Sequence, residues 1–125
     1  MLKKNAMRWV KALRSGKYKQ GASKLCQNPG AGIEHCCLGV LADINGYSKE
    51  LIRGRAILDL PGMQEKCDIK SASGKIRDDI NNISKTITVR SGTRKFMSVD
   101  LAHINDEGAS FKAIATWIEK NYKLL

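Results

Sequence analysis

The chain has 125 residues, 42% of them hydrophobic, 27% charged and 6% aromatic. That length predicts one domain, residues 1–125, around a single core, and that hydrophobic share excludes a disordered chain. Twenty-two basic against twelve acidic side chains leave a net charge of +10, which turns attention to anionic partners.

The charge is unevenly placed. Residues 1–24 hold Lys3, Lys4, Arg8, Lys11, Arg14, Lys17, Lys19 and Lys24 and no acid, so this segment alone carries +8. A concentrated cationic end attracts phosphates, nucleic acid or an acidic protein, although a solvated helix face accounts for the same pattern. No apolar run approaches the roughly 20 residues that cross a bilayer. Asn5, Arg8, Lys11 and Arg14 interrupt any apolar region of a secretory signal.

In chain order, residues 2–14 predict a helix with Leu2, Ala6, Trp9, Val10 and Leu13 on its apolar stripe. Lys4, Arg8 and Lys11 form the opposite stripe, and Trp9 is the expected anchor to the core. Ser15-Gly16 ends the helix, with Gly16 in the left-handed conformation. Residues 23–27 and 33–37 predict a hairpin around the turn-rich stretch Asn28-Pro29-Gly30-Ala31-Gly32. Residues 37–44 predict a buried central helix closed by Asn45-Gly46. Residues 48–60 are mixed, with Ile57 and Leu58 among their apolar positions, and Pro61 opens a short helix to about Cys67. Residues 68–85 are polar and aperiodic, the expected variable or mobile stretch. Residues 86–90 and 95–99 predict two strands around Ser91-Gly92-Thr93-Arg94. Residues 100–105 predict a short helical turn, and Ser110 caps a last helix with Phe111, Ile114, Ala115, Ile118 and Tyr122 on one face. The fold class is α+β: a small antiparallel sheet packed against N-terminal, central and C-terminal helices.

The chemistry-bearing residues are sparse. Cys26, Cys36, Cys37, Cys67, His35 and His103 lack the paired spacing of a zinc site. Cys36 and Cys37, on a strand, would point to opposite faces. Neither a metal nor another cofactor is assigned, and the cysteines are expected as reduced, buried apolar fillers. His35 beside Cys36 is not a catalytic pair without an orienting group. Asp78-Asp79 is expected in solvent, and Asp106-Glu107 as a cap on the last helix.

Ser15-Gly16-Lys17-Tyr18-Lys19-Gln20-Gly21 is not a Walker loop, but it joins exposed N–H groups, cations, an aromatic face and an amide. Arg14, Lys17 and Lys19 would hold phosphate, Tyr18 would stack on a base, and Gln20 or Asn105, beside Asp106, would read its edge. The alternative is a turn in which Tyr18 packs on the core and Gln20 bonds to backbone.

Three blocks carry a family resemblance: Trp9–Gly21, Cys36–Leu41 followed by Asp43, and Ile104–Glu119, with Leu60-Pro61 between the last two. They resemble a widespread uncharacterised set of small phage and prophage proteins with W-x-x-A-L-R-S-G-x-Y-x-Q-G, C-C-L-G-V-L and L-N-D-x-G-x-[ST]-F-x-x-I-A-x-x-I-E motifs. Ile104 departs from the usual leucine, and 68–95 shows no match. The resemblance implies a phage-encoded accessory protein of the host cytoplasm and no activity, so no catalytic residue is carried over. The leading expectation is a non-enzymatic, counter-defence protein that captures an anionic host component such as a nucleotide signal. A sequence-tolerant nucleic-acid binder and a small nucleotide hydrolase using Asp106 and Glu107 are the alternatives. An acidic host protein is a further partner class, no membrane is involved, and homo-oligomerisation is open.

Overall fold

The computed structural model describes residues 1–28, 30, 32–56, 60–78, 80, 81 and 83–125. Pro29 and Ala31 of the expected turn, Ile57 and Leu58, and Asp79 of the acidic pair lie outside the described residues.

Helix α1 (Lys3–Arg14) buries Ala6, Trp9, Val10 and Leu13, while Leu2 stays 61% exposed. Lys11 and Arg14 lie in its last turn, where cations complement the helix dipole. The Trp9 indole N–H donates to the Cys37 carbonyl at 2.9 Å, which ties α1 to the central helix. Gly16, at φ +76°, turns the chain out of α1.

Three two-residue strands follow: β1 (Lys19–Gln20), β2 (Cys26–Gln27) and β3 (Glu34–His35). Strand β2 pairs antiparallel with β3, with Cys26 opposite His35, as the expected hairpin requires. Strand β1 flanks β3 on its other side and runs parallel to it, Gln20 opposite His35, so this sheet is mixed.

Helix α2 (Cys37–Ile44) buries every residue from Cys37 to Ala42. Cys36 is its N-cap, its Sγ accepting the Gly39 N–H at 3.4 Å, so the two adjacent cysteines begin a helix and do not alternate on a strand. A Cβ on Gly39 would sit 1.7 Å from the Leu25 carbonyl oxygen; only glycine permits this approach. Helix α3 (Lys49–Ile52) is capped by Ser48. Helix α4 (Met63–Lys66) starts after Gly62, at φ +72°, two residues later than the proline suggested. The Pro61 carbonyl instead accepts the Tyr47 hydroxyl at 2.9 Å.

Strands β4 (Ile87–Ser91) and β5 (Arg94–Ser98) form a separate antiparallel hairpin, Ile87 opposite Ser98 and Ser91 opposite Arg94. Ile87, Val89 and Phe96 turn inward, and Gly92 supplies the positive φ of the two-residue turn. Helix α5 (Leu101–Asp106) is capped by Asp100, whose carboxylate accepts the His103 N–H at 2.9 Å. Helix α6 (Phe111–Asn121) is capped by Ser110, whose hydroxyl accepts the Ala113 N–H at 3.2 Å, and buries Phe111, Ile114, Ala115 and Ile118. Helix α1 packs between α6 and α2, and α6 also covers the β4–β5 hairpin.

The architecture is α+β, with two small, mainly antiparallel sheets among the described residues where one was expected. The 68–85 stretch is not all surface: Ile69 and Ile76 join the core, and Lys75 bridges to Asp100. No helix among the described residues is long and apolar enough to cross a membrane.

Candidate anion-binding site

The loop after α1 is built locally. The Ser15 hydroxyl donates to the Ala12 carbonyl at 2.6 Å and accepts the Lys17 N–H at 3.2 Å, which fixes the turn around Gly16. Tyr18 then leans on the body of the protein. Its hydroxyl donates to Asp43 Oδ2 at 2.5 Å, and its ring meets His35 edge-on, with centroids 5.0 Å apart. Burial, with the Asp43 carboxylate beside it, pushes the phenol pKa far up, so Tyr18 stays protonated. Tyr18 therefore takes the core-packing alternative, leaving part of its surface in the cleft described below.

The side chains expected to read a base edge are committed elsewhere. Gln20 Nε2 donates to Asn105 Oδ1 at 2.9 Å and to the Ala109 carbonyl at 2.7 Å, and Gln20 Oε1 accepts the Phe111 N–H at 3.1 Å. Asn105 is 3% exposed and uses its whole amide. Oδ1 accepts from Gln20 and from the Cys37 N–H at 3.1 Å, while Nδ2 donates to the Gly21 carbonyl at 2.8 Å and Asp106 Oδ1 at 3.2 Å. An asparagine amide has two donors and two acceptor positions, and all four are filled. Both residues form a clamp that joins β1, the start of α2, α5 and the start of α6. Asp106 is the last residue of α5 and not a cap on α6; its Oδ1 also accepts the Ser23 N–H at 2.9 Å.

The three expected phosphate holders part company. Arg14 pairs with Glu119 at 2.6 Å and donates to the Thr116 hydroxyl at 3.3 Å, and Lys19 pairs with Glu34 at 3.6 Å. Such exposed pairs contribute about 0–1 kcal/mol each, but they place an acid beside each cation. Lys17 has no acidic partner within ion-pair distance among the described residues and lines a cleft of about 350 Å³ with Arg8, Lys11, Ala12, Ser15, Tyr18 and Ile44. Arg8 also donates to the Ile44 carbonyl at 2.7 Å, which neutralises the negative end of α2. Three cations, a hydroxyl and an aromatic ring thus line one concave surface, and among the described residues no acidic side chain shares the lining. The Asp43 carboxylate behind the wall is occupied by Tyr18. Arg8 and Lys11 were not assigned to a site from sequence, although their cationic stripe on α1 was the signal that led there.

Other chemistries find little support. All four cysteines are free and buried. Burial pushes the Cys36 and Cys67 thiols up to about 11 and the Cys37 thiol well upward, which suppresses the nucleophilic thiolate. Among the described residues no three His, Cys, Asp or Glu side chains gather as a metal site would require. Asp78 Oδ1 accepts the Ile80 and Asn81 N–H groups, a turn interaction that holds its carboxyl below the ordinary range.

No curated protein and no solved structure matches this chain. A family described only as a domain of unknown function, DUF8296, matches residues 1–122, and the chain belongs to that family.

Proposed function

We propose that the protein binds a phosphate-bearing small molecule in the cleft of Arg8, Lys11, Ser15, Lys17 and Tyr18, and acts by capturing it. The observation that carries this reading is the convergence of three cations on one concavity whose lining, among the described residues, holds no acid. Guanidinium and ammonium donors suit phosphate oxygens, and the Tyr18 ring gives a flat group a place to rest. With the phage-like sequence blocks, the reading becomes a phage-encoded accessory protein of the host cytoplasm that sequesters an anionic host component, a nucleotide signal above all. Capture without turnover is supported by the state of the two hydroxyls in the lining: the Tyr18 phenol stays protonated and the Ser15 hydroxyl is already hydrogen-bonded.

The test is calorimetric titration with inorganic phosphate, pyrophosphate and a panel of mono- and dinucleotides. The expected result is saturable binding that Lys11→Gln and Lys17→Gln each weaken roughly tenfold, about 1.4 kcal/mol. Binding unchanged in both variants removes the cleft from consideration. Ligand recovered intact after denaturing the complex argues against the hydrolase alternative at Asp106 and Glu107.

A second reading, the sequence-tolerant nucleic-acid binder, has its own observation. A groove of about 240 Å³ between β4 and α6 is lined by Arg90, Lys120, Trp117, Thr88 and Thr116, among others, and so combines cations with a stackable ring. It predicts affinity for single strands that falls steeply with salt and is lost in Trp117→Ala, whereas Lys11→Gln leaves it unchanged.

A further inference from the structure

His35 is the unexplained polar group of this fold. It lies on β3, the middle strand of the first sheet, and is 2% exposed. Among the described residues neither Nδ1 nor Nε2 finds a hydrogen-bond partner, although both are buried. Leaving a buried polar atom unpaired costs about 1–3 kcal/mol, so two such atoms on one ring call for a reason.

The surroundings supply one. His35 is among the residues that line a cavity of about 240 Å³, together with Lys17, Tyr18, Ile33 and Lys49. Lys17 and Tyr18 also line the first cleft, so the two concavities adjoin at these two residues. Two lysines thus line this second cavity, and among the described residues its lining again includes no acid. Asp43 is the acid that acts electrostatically on His35, and its Oδ2 accepts the Tyr18 hydroxyl. An imidazole in want of a partner, between two cations, offers an N–H to an oxyanion and gains the bond it lacks.

We infer that the His35 cavity is a second oxyanion subsite, taking a phosphate group between the Lys17 and Lys49 ammonium groups with the His35 ring N–H as an inner donor. This deepens the proposed function and rests on it in one respect: with both concavities used, the captured molecule carries two phosphate groups, one in each concavity. The ring nitrogens are covered in the ligand-free protein, so the arriving phosphate must uncover one of them.

The experiment is a titration of the full chain with inorganic phosphate and with pyrophosphate, following the ring signals of His35 and His103 by NMR. His103, 67% exposed and paired with Asp100, is the internal control. The expected result is a saturable shift of His35 with little change at His103, and a five- to tenfold weaker midpoint in Lys49→Gln. Lys49 is exposed, so this variant keeps the fold. A His35 signal that stays still at phosphate concentrations saturating the Lys11 cleft overturns the subsite, as does an unchanged midpoint in Lys49→Gln. The two readings fail separately: Lys11→Gln reports on the first cleft alone and Lys49→Gln on the second alone.

Discussion

Replacing Asn105 by alanine is the sharpest test of the clamp. The substitution strips partners from the buried Cys37 N–H and the half-buried Gly21 carbonyl, and removes one of the two acceptors of Gln20 Nε2. Each unpaired buried group costs about 1–3 kcal/mol; with the Gly21 site part-solvated, the sum is roughly 2–4 kcal/mol. Against a domain stability of about 5–15 kcal/mol that is a large fraction. With a urea slope of about 1–3 kcal/mol per molar, the unfolding midpoint falls by of order 1–2 M. Asn105→Asp tests the donors specifically. It keeps both acceptors, leaves the Gly21 carbonyl unpaired and sets a second carboxylate against Asp106, whose Oδ1 lies 3.2 Å from Nδ2. Its deficit should therefore shrink on acidification, where that of Asn105→Ala does not. Equilibrium urea unfolding by circular dichroism reads both. A loss below about 0.5 kcal/mol in Asn105→Ala would refute the clamp, and a loss of ligand affinity at unchanged stability would restore Asn105 to the role of ligand reader.

Other expectations follow from single contacts. Gly39→Ala forces a methyl to within 1.7 Å of the Leu25 oxygen; with backbone on both sides, it should cost more than about 3 kcal/mol or abolish folding, seen as lost thermal cooperativity. The Asp100 carboxylate raises the His103 pKa above 6.5, first through their hydrogen bond and then through its charge. A pKa raised by folding gives stability that is full below the unfolded value and is lost as pH rises through the folded one. Unfolding midpoints should therefore drop slightly as pH climbs through that range, and His103→Gln should flatten the profile. The four buried thiols should react with a chromogenic disulfide at pH 8 only as fast as the protein opens, so rapid labelling of a native thiol would contradict their burial.

Local signals were legible in the sequence and distant ones were not. The α1 stripe, the left-handed Gly16, the apolar run of α2, the Gly92 turn and the Ser110 cap each depend on residues within four or five positions of one another. The parallel pairing of β1 with β3 joins strands of two residues, too short to show a period. The Gln20–Asn105 bond spans 85 positions, and a side chain that saturates a buried partner is written like one that awaits a ligand. Arg14 and Lys19 show the same ambiguity: the cationic run identified them, but Glu119 and Glu34 came beside them only through folding. The three sequence blocks that carried the resemblance meet at this clamp, through Gln20, Cys37 and Asn105. Much of that signature is accounted for by holding the fold together, which leaves Lys17, Tyr18 and the α1 cations as the part with chemistry to spare.

The anchoring of Gln20 has a kinetic consequence for the loop just before it. Tyr18 is tethered to α2 and Gln20 to α5 and α6, so Lys17 is carried on a short segment held at its far end. A molecule arriving at the α1 cleft meets a shape already made. Its first encounter with that cleft should then be governed by diffusion under the attraction of the surrounding cations, quickening as ionic strength is lowered in stopped-flow mixing.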